Sequence, residues 1–266
     1  MFAAALRRDS FNSSSMNDVP LWLQAAGWGA LAGSALVLGS IVALIANLPP
    51  RLIAAVMAFG AGVLISALSF ELVQKAWLRD GFFSTAGGFV GGALIFTAGN
   101  FLLTRVGAKH RKRAGHEIKA EGSSGLSLAL GALLDGIPEA VVIGVSLLPG
   151  EGVSLVAVIA VFLSNVPEGL ASATGMKNAG HRPATILALW FAIALASAIA
   201  SALGCLLLAP EQSTVIACIE AIAAGAILAM VVETMVPEAF AEAHDFSGLI
   251  AVLGFIAAFM LSKMEI

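Results

Sequence analysis

ATILALWFAIALASAIASALGCLLLA, residues 184–209, runs for 26 positions without a charged side chain. A helix needs about 20 mostly apolar residues to cross a bilayer. Reading outward from this run, seven more appear between charge clusters and Pro/Gly breaks. The eight lie near 21–46, 51–74, 82–106, 124–147, 152–175, 184–209, 213–237 and 246–263. Lipid offers the backbone no hydrogen-bond partners, so such runs form helices or closed barrels. Barrel strands alternate polar and apolar residues over about ten positions, and none of these runs alternates. The expected fold is therefore an all-α integral membrane protein, a bundle of about eight transmembrane helices. Residues 1–20 form a Ser/Asn-rich segment expected to be disordered. Residues 21–266 form the membrane domain, with a basic loop at about 107–123.

Composition points the same way. Of 266 residues, 59% are hydrophobic and 12% charged. A soluble domain carries roughly twice that charged share. The net charge of −3 argues against a nucleic-acid partner. Cys205 and Cys218 fall in apolar runs with no ligand spacing and read as small packing residues. The N-terminus does not read as a signal peptide, because Arg7 and Arg8 follow a very short apolar stretch; Met16 is a second candidate start.

Basic residues set the orientation. Arg51, Arg105, Lys109, Arg111, Lys112, Arg113, Lys119, Lys177 and Arg182 share one side, given alternating spans, against Arg7, Arg8, Lys75, Arg79 and Lys263 on the other. Positive residues favour the cytoplasm, so both termini are expected outside, in a plasma or inner membrane. Gly29/Gly33 and the overlapping pairs of Gly87, Gly88, Gly91 and Gly92 read as close helix packing.

Acidic residues inside apolar runs carry the chemistry, since each is expensive in lipid without a partner. In register, Leu134-Asp135-Gly136-Ile137-Pro138-Glu139 of the fourth run matches Leu163-Ser164-Asn165-Val166-Pro167-Glu168 of the fifth. Asp135 and Glu139, like Ser164 and Glu168, are four apart and stack on one helical face. Asn165 joins that stripe. Pro138 and Pro167 release the carbonyls of Leu134 and Leu163. Two such helices facing each other would form an oxygen-rich pocket suited to a divalent cation. Its expected ligands are Asp135, Glu139, Ser164, Asn165 and Glu168. A lone motif of this kind reads equally well as a kink with a hydrogen-bonded Glu; the doubling favours a site. Glu71 and Glu233 are expected along a pathway, while Glu71 and Glu238 also fit capping at helix ends.

These paired blocks resemble those of the ZIP (Zrt-, Irt-like protein) metal transporters, whose fourth and fifth helices each carry a His-Asn-x-Pro-Glu-Gly-like block. Gly60-Ala61-Gly62-Val63-Leu64-Ile65 and Pro237-Glu238-Ala239 are similar to stretches of that family's second and seventh helices. The resemblance spans most of the chain. It implies eight spans, outward termini, transport of a divalent metal toward the cytoplasm, and metal binding by the motif residues. Asp135 then stands where His is usual, Gly136 where Asn is usual, and Glu139 and Glu168 at the Glu positions. Ser164 stands at a polar ligand position and Asn165 at the Asn. The sixth run has no carboxylate, which argues for one metal rather than two. His110, His116, His181 and His244 all fall in loops. Oxygen donors suit Mn²⁺ or Mg²⁺ and imidazole suits Zn²⁺. Zinc ranks first on the family likeness, with Mn, Fe and Cd open.

The expected partners are the lipid bilayer and the transported ion, with a homodimer left open. No prosthetic cofactor is expected. An intramembrane hydrolase is disfavoured, because HExxH is absent and no span holds a His. A membrane protein that binds or senses metal without moving it stays open as the alternative.

Overall fold

The structure, a computed structural model, describes residues 19–105, 125–148, 152–243 and 246–264. The segment before residue 19, the basic loop at 107–123, and His110, His116 and His244 lie outside the described residues. Those described are helical apart from short connections. The helices are α1 (Leu21–Ile45), α2 (Pro50–Ala67), α3 (Gln74–Arg105), α4 (Gly125–Ser146), α5 (Leu155–Asn178), α6 (Pro183–Leu206), α7 (Ser213–Met230), α8 (Val236–Ala243) and α9 (Ser247–Met264). Two π-helical segments interrupt them: π1 (Leu68–Val73) joins α2 to α3, and π2 (Val231–Met235) joins α7 to α8.

Within α3, Gly81 breaks the helix with φ 77° and ψ −170°. That backbone conformation is open to glycine at no steric cost. Asp80 braces the restart, accepting from Ser84 on the new helix and from Thr214 Oγ1 at 2.9 Å. Residues 74–80 thus extend the helix begun at Pro50, and a second begins after Gly81.

Six stretches among the described residues are long and apolar enough to cross a membrane. Their exterior is oily: Phe83, Leu78, Leu94, Phe101 and Leu253 are exposed. Asp135, Glu139, Ser164, Asn165 and Glu168 are buried. This inverts the soluble pattern, and lipid is the solvent that stabilises it. The described residues are those of an all-helical, multi-pass membrane protein.

Broad packing joins α1 to α5 and α6, and α4 to α6, as one group. The remaining helices, paired α2 with α9 and α3 with α7, make up the other, and α2 packs on α5 and α4 on α7 across the boundary. Within each group, glycines let backbones touch. Gly39 of α1 meets the Val166 carbonyl of α5, and Gly169 of α5 meets the Leu36 carbonyl of α1. Of the glycines marked in the sequence, Gly29 and Gly33 pack on Ser201 and Ala194 of α6, and Gly88 and Gly92 on α7. Gly87 and Gly91 meet no neighbour among the described residues.

Candidate metal centre

Each half of the doubled motif sits in a helix with proline inside it, Pro138 in α4 and Pro167 in α5. The two halves are held differently. α5 is clamped between α1 and α2. Its Gly169 presses on Leu36, and a Cβ at Gly60 of α2 would lie 3.2 Å from Pro167 Cγ and 3.4 Å from the Ser164 Cα. α4 is clamped on α6, where Gly144 meets the Ser201 carbonyl and a Cβ on Gly204 would lie 2.8 Å from the Val141 carbonyl oxygen. Direct packing between α4 and α5 is narrow.

Asn165 Nδ2 donates to the Ala32 carbonyl of α1 at 3.0 Å. Its Oδ1 is buried and accepts no hydrogen bond among the described residues. Ser164 Oγ donates to the Val161 carbonyl at 2.9 Å, which leaves its lone pairs available to accept or to ligate. Glu139 is 1% exposed and opens on a cavity of about 20 Å³, room for about one water. The far walls are Ala157, Ala160 and Val161 of α5, Leu64 and Ala67 of α2, and Glu71 of π1. Glu139 thus shares its cavity with Val161 of α5, one turn before Ser164, while Asp135, Ser164, Asn165 and Glu168 do not line it. Among the described residues, no three carboxylate, imidazole or thiol side chains stand close enough together to hold an ion. Any ion held here would draw on neutral oxygens as well as acids: Asn165 Oδ1, Ser164 Oγ and the carbonyls released by the two prolines.

Glu71 and Glu233 both occupy π segments. There one residue is added to the turn: Gln74 N–H reaches the Ser69 carbonyl and Val236 N–H reaches that of Val231. Such widened turns recur at functional positions. At π2 a local cause is visible, since Pro237 cannot donate to the Glu233 carbonyl. The two acids face different surroundings. Glu71 is buried and accepts from Lys75 Nζ at 2.7 Å, Ser154 Oγ at 2.9 Å and Ser262 Oγ at 2.8 Å. Glu233 is exposed on the α3 side and accepts from Thr97 Oγ1 and Asn100 Nδ2, each at 2.7 Å. It does not line the cavity of Glu139. Glu238 lies half-buried in α8.

A cavity of about 800 Å³ adjoins the small one, and Glu71, Leu72, Val142 and Ala157 line both. Its wall holds a residue the sequence reading missed. Glu220 of α7 is buried, with Arg79 Nε 3.4 Å from its Oε2. A carboxylate inside STVIACIEAIAAGAIL was the available signal. Ser154 was missed as well; it caps α5 by accepting from Ala157 N–H at 3.3 Å. His181 lies in the α5–α6 turn, away from both cavities. Cys205 packs in an apolar cluster with Ala25, Val145 and Ile216.

A scan against protein-family models found no match, and a search of curated proteins found none either.

Proposed function

We propose that this chain is a carrier that moves a divalent metal cation toward the cytoplasm through the intramembrane oxygens of α4 and α5, in the manner of the ZIP transporters it resembles. The Gly81 break and Gly125–Ser146 are compatible with eight crossings, and the distribution of basic residues favours both termini outside. Zinc is the first candidate, then Mn, Fe and Cd. One observation carries the reading. All five polar residues of the doubled motif are buried in an oily bundle, and Glu139 opens on a cavity that shares four lining residues with a polar vestibule.

The physical sequence is short. A dication entering the vestibule exchanges water for protein oxygens and settles near Glu139 and Glu168, with Asp135, Asn165 and Ser164 as nearby donors. Negative charge in a medium of low dielectric favours a doubly charged guest. Rocking of the α1/α4/α5/α6 group against the other helices then exposes the site to the opposite face. Protonation of a liganding carboxylate favours release, since ligands must be deprotonated to bind.

Purified protein in sealed proteoliposomes should take up Zn²⁺ saturably, and Glu139→Ala or Glu168→Ala should abolish uptake. Wild-type rates in both variants would refute the site. Binding in detergent without flux into vesicles would support a non-transporting metal-binding protein instead.

A further inference from the structure

Glu71 is the acid that lines both the vestibule and the cavity of Glu139. Its three donors come from three places: Lys75 from the start of α3, Ser262 from α9, and Ser154 from the turn before α5. The Ser154 bond crosses from one helix group to the other. Lys75 is the cation bound to this carboxylate. The other vestibule cations are engaged elsewhere: Arg79 stands by Glu220, and Lys263 lies over the Phe70 and Phe259 rings at 5.5 and 5.6 Å. The Lys75 side chain is 42% exposed, against 8% for Glu71. The ammonium can therefore swing into vestibule water while the carboxylate stays in place.

We infer that Glu71 is a first docking carboxylate for the incoming dication and that Lys75 is a tethered competitor which the dication displaces. The exchange balances without any covalent step. The ammonium leaves Glu71 Oε2 for water, the dication replaces it there, and Ser154, which shares Oε2 with Lys75, gives up its acceptor while Ser262 keeps Oε1. Loss of the Ser154 contact releases one tie between the two helix groups, so arrival of the ion loosens the elements that must move. This inference rests on the transport reading above and adds a gate to it.

The test is Zn²⁺ uptake by the full chain in proteoliposomes, with KM and maximal rate fitted separately. Lys75→Met should lower KM by about two- to fivefold, the worth of a partly exposed ion pair. Maximal rate should stay near wild type, and Lys75→Arg should restore the wild-type KM. Glu71→Gln should raise KM. A wild-type KM in Lys75→Met, with saturable uptake by the unaltered protein, overturns the gate alone. Absent uptake by the unaltered protein overturns the transport reading and the gate with it.

Discussion

Asn165 shows how one side chain can be fixed for a ligand by a bond that does not use its ligating atom. Its amide nitrogen is spent on the Ala32 carbonyl, and this aims Oδ1 into the interior. Asn165→Ala should lower stability by about 1 kcal/mol, the net worth of one buried hydrogen bond. It should also weaken Zn²⁺ uptake through a higher KM; thermal melting in detergent, read beside vesicle uptake, separates the two effects. A melting loss with unchanged KM would make Asn165 purely structural. At this scale the sequence was informative, because a polar atom in an apolar run must find a partner and therefore announces itself. Asp135, Glu139, Ser164, Asn165 and Glu168 were all legible and all lie buried. Glu220 was equally visible in principle. What hid it was the absence of a nearby motif, since its partner Arg79 is far away in sequence. The destination of Glu233 could not be read, because Thr97 and Asn100 meet it only after α3 and α7 pack.

At the scale of elements, small residues choose the neighbours. Four helix pairs repeat one contact: a glycine of each helix abuts the carbonyl three residues before the partner's glycine. The glycine pairs are Gly39/Gly169 for α1/α5, Gly62/Gly254 for α2/α9, Gly92/Gly225 for α3/α7 and Gly144/Gly204 for α4/α6. Such approach brings Cα–H groups against carbonyl oxygens and maximises van der Waals contact, the main attraction between helices in lipid. It also explains why α4 and α5 touch so little despite their matched motifs. The glycines commit α4 to α6 and α5 to α1. Gly169→Ala would drive a methyl into the Leu36 carbonyl and should cost about 1–3 kcal/mol by overpacking. Gly136 is the contrast: the nearest atom to a Cβ there is Ser197 Oγ at 3.8 Å. Gly136→Ala should be neutral or stabilising by up to about 1 kcal/mol through helix propensity. Detergent melting of the two variants checks the ordering, and equal melting points would refute it. The run boundaries were legible because span length is set by the bilayer. The π segments were not, since an added residue per turn leaves no local sequence mark at Leu68–Val73.

For the whole molecule, the motif residues lie in the α1/α4/α5/α6 group and Glu71 lies outside it, in π1. Adjacent elements in the chain, such as α3 and α4, belong to different groups, so no local pattern reveals the division. Carrier action requires the groups to move, and a covalent tie between them is the direct probe. Gly99 of α3 and Leu134 of α4 belong to different groups, and a Cβ at Gly99 would lie 3.7 Å from Leu134 Cγ. Gly33 of α1 and Ala194 of α6 share a group, and a Cβ at Gly33 would lie 3.3 Å from that of Ala194. Leu134 Cβ is one bond beyond Cγ, and the Gly33–Ala194 separation is slightly under the about 3.5–4.5 Å that the Cβ atoms of a disulfide span, so both pairs reach bonding distance with a small backbone adjustment. With Cys205 and Cys218 replaced, oxidising a Gly99→Cys/Leu134→Cys protein should stop Zn²⁺ uptake, and reduction should restore it. Oxidising a Gly33→Cys/Ala194→Cys protein should leave uptake at its reduced level. Continued uptake through a fully formed bond between Cys residues at 99 and 134 would mean that the ion crosses without relative motion of the groups, as in a channel. The concentration dependence of flux would then fail to saturate, and the two readouts together decide between the mechanisms.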